Sequence, residues 1–136
     1  MGMWASVRPA AARCALLRAG TACAATRGLG AAENMWGGIA ASAGGNVHVT
    51  SLMSSPNADP HLFEPAPSAM RQIATADVVL LHGGGYDPWM ERLISGRDVG
   101  SILSAATITG LRPGDHPHLW VTPEAMRTVP PRLLQR

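Results

Sequence analysis

Residues 47–53, Val47-His48-Val49-Thr50-Ser51-Leu52-Met53, tend to alternate between apolar and polar, the two-residue period of a strand with one covered face. His48 falls on the polar phase of that run and reads as a surface residue. Val78-Val79-Leu80-Leu81 is unbroken apolar sequence, the pattern of a strand covered on both faces in a parallel sheet. Residues 34–43 predict a short helix closed by Gly44-Gly45, and residues 54–67 a loop. Ser68 is the expected N-cap of a helix through residue 76. Gly83-Gly84-Gly85 makes a turn, after which Asp87 and Pro88 open a helix to about residue 94.

Residues 105–109 read as the next strand and residues 110–117 as a loop, with Pro123 opening a last helix that Pro130-Pro131 would interrupt. Strands alternating with helices at this spacing predict an α/β fold: a single lobe with a mostly parallel four-stranded sheet flanked by helices. A chain of 136 residues suits one such domain.

Composition adds two facts. Hydrophobic residues make up 46% and charged residues 15% of the chain, a globular rather than disordered balance. All eleven basic residues are arginine, and the surplus lies at the start: Arg8, Arg13, Arg18 and Arg27 precede the first acid, Glu33. The net charge of +2 is therefore an N-terminal feature, without the clustered basic face and stacking aromatics that nucleic-acid binding requires. Residues 1–30 read instead as a degenerate signal or leader segment, with Arg13 and Arg18 breaking its apolar core. Gly20-Thr21-Ala22-Cys23 has the small residues and Cys of a lipoprotein processing site. Export to the periplasm, or anchoring through a lipidated Cys23, is the expected localisation. The uncharged stretch 34–58 contains Asn34, Asn46, His48 and Asn57, which excludes a membrane span. Cys14 and Cys23 form neither a CxxC pair nor a disulfide framework.

The chemistry concentrates in two Pro-rich frames, Asn57-Ala58-Asp59-Pro60-His61-Leu62-Phe63-Glu64-Pro65 and Asp115-His116-Pro117-His118-Leu119-Trp120. Each reads as a loop after a strand, the place where open α/β sheets bind ligands. A neutral imidazole suits zinc and the later transition metals, and a proline before each His restricts where its ring points. His61 and His118 are the candidate metal ligands. His116 is a possible auxiliary ligand, and Asp59, Glu64 and Asp115 are candidates to orient an imidazole through its second nitrogen. One enzyme reading competes: Leu81-His82-Gly83-Gly84-Gly85 matches the oxyanion loop of esterases, although no Gly-x-Ser-x-Gly nucleophile elbow accompanies it.

Together with Ala31-Ala32-Glu33-Asn34-Met35-Trp36-Gly37, Ser54-Ser55-Pro56-Asn57-Ala58-Asp59 and Gly84-Gly85-Tyr86-Asp87-Pro88-Trp89, these frames resemble the zinc/manganese solute-binding family of bacterial ABC importers, from about residue 31 to residue 123. The resemblance implies two α/β lobes clamping one metal, with residues 31–136 as the N-terminal lobe, His61 and His118 as its ligands and the second lobe absent. It implies a non-enzymatic protein that captures Zn2+ or Mn2+ as cargo for a membrane permease, or a non-functional or partner-dependent fragment of one. It also places the central first strand just before Glu33, where Thr26-Arg27-Gly28-Leu29-Gly30 makes a weak strand.

Overall fold

The buried run Val78–Leu81 forms β3, and its side chains alternate between two apolar clusters: Val78 and Leu80 join one, Val79 and Leu81 the other. The computed structural model describes residues 25–135 except residue 113. Within it, β1 (Arg27–Glu33), β2 (Val47–Met53), β3 and β4 (Ile102–Ser104) make one parallel sheet in the order β2-β1-β3-β4. Helices α1 (Asn34–Ser42), α4 (Ala105–Thr109) and α5 (Pro123–Leu134) supply Trp36, Ala40, Ala106, Ala125 and Val129 to the first cluster. Helices α2 (Pro67–Thr75) and α3 (Pro88–Leu93) supply Ile73, Trp89 and Met90 to the second. The result is the expected α/β lobe, with a parallel sheet covered on both faces.

The strand expected to be weak is the centre of the sheet. A Cβ at Gly30 would meet the Cδ1 methyl of Ile73, so the missing side chain lets α2 close onto β1 with Ile73 in its present rotamer. At the other end Gly28 N–H donates to Asp77 Oδ2 at 2.7 Å while Asp77 N–H donates to the Gly28 carbonyl at 2.8 Å. Packing and these paired bonds outweigh the low strand propensity of the two glycines. The leader expected over residues 1–30 lies outside the described residues as far as residue 24, as do Cys14 and Cys23, and from Arg27 the chain is already in the sheet.

Three expectations are corrected. Residues 105–109 form α4 rather than a strand, and the strand is Ile102–Ser104 just before it. Ser104 Oγ accepts from Thr107 N–H at 3.3 Å as an N-cap, and Gly110 closes the helix in the left-handed region at φ +72. Helix α2 begins at Pro67 with Ala66 in the cap position, so Ser68 is inside the helix; the fixed φ of Pro67 replaces a side-chain cap. Helix α5 continues through Pro130 and Pro131 to Leu134. Ala125 and Val129 are buried on its inner face and Leu133 packs partly beside them. The carbonyls those prolines release belong to Met126 and Arg127, both exposed residues. No helix among the described residues is long and apolar enough to cross a membrane.

Candidate metal centre

The turn after β3 organises the site. Gly83, Gly84 and Gly85 all have positive φ, at +75, +63 and +80, which a side chain would strain. Asp87 occupies the cap position of α3 but does not cap it. Its carboxylate reaches back into the turn instead, where Oδ2 accepts from His82 N–H at 2.9 Å and Oδ1 from Gly83 N–H at 2.7 Å. The turn so fixed brings Tyr86, which is largely buried, over the face of His82 at a ring-centroid distance of 4.2 Å.

Tyr86 is the point on which both candidate ligands converge. The His61 ring packs edge-on against it at 5.1 Å and the His118 ring at 6.5 Å. Trp120 closes the group, 5.3 Å from Tyr86 and 5.0 Å from His118. Both histidines are exposed, whereas His82 beneath them is fully buried. The His61 loop follows β2 as expected; the His118 loop follows α4 and not a strand. The Tyr86 ring with the two imidazoles packed against it is the candidate mouth. Among the described residues no group of three or more His, Cys, Asp or Glu is arranged to hold a metal on its own.

The flanking polar residues brace the loops more than they touch the rings. Asp59 Oδ1 accepts from the backbone N–H of His61 at 2.8 Å, and Asp115 Oδ2 from that of Arg112 at 2.8 Å. His116 Nδ1 accepts from the backbone N–H of His118 at 3.3 Å, its ring 4.7 Å from the His118 ring. Glu64 lines a separate depression with Trp89 and Arg92 and bonds neither imidazole.

Below the mouth lies a pair of buried carboxyls that sequence reasoning did not single out. Glu33, at the end of β1, is 1% exposed, and no N–H or O–H group reaches either of its oxygens. Burial pushes its pKa up to about 9, and the neighbouring Asp87 carboxyl adds to the rise, so Glu33 holds its proton at neutral pH. Burial also raises Asp87, against the pull of the Gly83 and His82 amides. Glu33, Ser54, Ser55, Pro60, Tyr86 and Trp120 line a cavity of about 310 Å³ beside the mouth. Tyr86 is raised first by burial and then by Glu33, Asp87 and Asp59. His82 is pushed down to about 4 by burial, with the Pro117 carbonyl pulling back and His118 and His61 adding to the fall. The signal for Glu33 in the sequence was its place, an acid at the C-terminal end of an apolar strand.

The esterase reading finds no support. His82 is sealed under Tyr86, and the Gly83 amide that an oxyanion hole would use is bonded to Asp87.

A parallel α/β lobe that gathers exposed imidazoles in loops at one end is the architecture of a metal-receptor lobe. The chain belongs to the family described as ZnuA, zinc-uptake complex component A, periplasmic, which it matches over residues 31–132, a family of metal-binding solute-binding proteins of ABC importers. It is similar to the iron-binding protein YfeA of Yersinia pestis, 31% identical over 93 residues that cover 62% of this chain and 30% of that protein. It is likewise similar to a protein of Thermotoga maritima described as a putative metal-binding protein, 30% identical over 79 residues that cover 58% of this chain and 28% of that one. The chain thus spans under a third of the length of these curated relatives. Its fold matches the Zn(II)-bound ZnuA-like domain of Streptococcus pneumoniae AdcA at a TM-score of 0.65 and 19% identity, over 82% of this chain and 43% of that one. It also matches the Mn2+ complex of FpvC from Pseudomonas aeruginosa at a TM-score of 0.66 and 22% identity, over 82% and 45%.

Proposed function

We propose that this lobe captures a divalent metal ion, Zn2+ or Mn2+, as cargo, with His61 and His118 as its donors. The observation that carries the reading is the convergence of these two exposed rings, from separate Pro-rich loops, on the single Tyr86 ring. Asp59 and His116 hold the backbones of the two ligands, so little loop entropy is left to lose on binding. Imidazole-only donation favours Zn2+ over Mn2+. Two protein donors leave the other positions of a tetrahedral ion to water or to donors outside this lobe, so the isolated lobe binds weakly and releases readily. In the exported, extracytoplasmic setting of the family, the ion passes to an ABC permease in the membrane. The role is binding and delivery, with no bond made or broken.

The test is titration of the purified chain with Zn2+ and with Mn2+ against a chromophoric chelator. One Zn2+ per chain is expected, held more tightly than Mn2+, and His61→Ala and His118→Ala should each weaken it by roughly tenfold or more because each removes one of two protein donors. Unchanged affinity in both variants would overturn the reading.

A further inference from the structure

His82 carries the chain's one esterase-like motif, yet neither hydrolysis nor direct metal capture accounts for it. It is fully buried, and its Nδ1 accepts a hydrogen bond from Trp36 Nε1 at 3.2 Å. An Nδ1 that accepts must be unprotonated, so the ring proton of the neutral form sits on Nε2. Nε2–H has no hydrogen-bond partner, so the Trp36 bond is the polar contact that holds the ring in place. The face of the same ring supports Tyr86 at 4.2 Å, and its edge meets Trp120 at 5.6 Å.

Resting on the capture reading above, we propose that His82 is the positioning residue of the site: Trp36 fixes its tautomer, its face sets the Tyr86 ring against which His61 and His118 pack, and its edge meets the Trp120 ring that packs against His118. His82 does not touch the ion. It acts as outer-shell partners of metal ligands do, by removing orientations in which the ligands miss the ion. The low basicity that burial imposes keeps the ring neutral, so no charge stands beneath the incoming cation.

Two variants and one spectrum test this. His82→Leu should weaken Zn2+ binding by about 10- to 100-fold, the range found for outer-shell substitutions. His82→Gln, whose amide oxygen can accept from Trp36 while its planar amide keeps support beneath Tyr86, should recover most of that loss. A purely structural residue would lower the melting temperature in His82→Leu and leave the Zn2+ affinity of the folded chain unchanged, which would overturn the proposal. Should His82→Leu fail to fold, long-range proton–nitrogen NMR of the unsubstituted chain decides: the Nε2–H tautomer, shifting as Zn2+ is added, is expected, and the Nδ1–H tautomer or an unmoved signal would refute the role. Failure of the capture reading is separately visible, because the unsubstituted chain would then bind no Zn2+ that depends on His61 and His118.

Discussion

Trp36 Nε1 donates to His82 Nδ1 at 3.2 Å across the buried centre of the lobe, tying α1 to the turn that follows β3. The bond joins residues 46 positions apart, and neither partner reaches solvent. Trp36→Phe keeps an aromatic ring but leaves the imidazole nitrogen without its donor. A loss of about 1–3 kcal/mol in urea unfolding is expected from the orphaned polar group. A change of a few tenths would contradict the bond's role.

The Glu33–Asp87 pair makes stability depend on pH in a stated direction. Glu33 titrates near 9 in the folded chain against an ordinary value of 4.5, so between those values the folded state holds a proton that the unfolded state has released. Stability contributed in this way is complete below the unfolded value and falls as pH rises, at up to about 1.4 kcal/mol per pH unit. His82 has the opposite sense. Its folded value near 4 lies below 6.5, so stability is lost as pH falls through that window, and above it the decline set by Glu33 is no longer opposed by His82. The melting temperature should therefore decline from about pH 6.5 to pH 9, and Glu33→Gln should flatten that decline. A Gln variant with the same slope would exclude Glu33 as its source.

Helix α5 carries two interior prolines that deny donors to the carbonyls four residues earlier. Pro130→Ala restores one such bond, to Met126, without touching the buried Ala125 and Val129. Chemical denaturation should show a gain of about 1–3 kcal/mol, the penalty of an interior proline less the chain entropy that proline removes from the unfolded state. A loss of stability would mean that the helix is held by the proline rings themselves.

The sheet was legible wherever hydrophobic period and flanking glycines agreed, as in β2 and β3, and so were the two ligand loops. The misread segment, residues 105–109, is a five-residue run of alanine, threonine and isoleucine, too short for its period to separate helix from strand. Its helical state is decided by Ser104 at one end and Gly110 at the other. β1 looked weak because its glycines are poor strand formers, and only the approach of Ile73 shows what the missing side chain makes room for. His61 and His118 are proposed as donors from their Pro-His-Leu-aromatic frames, and the structure packs both rings against Tyr86. Tyr86 and the Glu33–Asp87 pair could not be given roles, since those follow from the three-glycine turn that carries Tyr86 over His82 and Asp87 back to its amides. Such reach across the fold leaves no local periodicity.

X-ray absorption at the zinc edge of the Zn2+-loaded chain tests the capture claim most directly. The expected first shell contains two imidazole nitrogens at about 2.0–2.1 Å with oxygen in the remaining positions, and His61→Ala and His118→Ala should each remove one imidazole from it. A shell without imidazole scattering, or one that keeps both imidazoles when His61 and His118 are replaced together, would contradict the account.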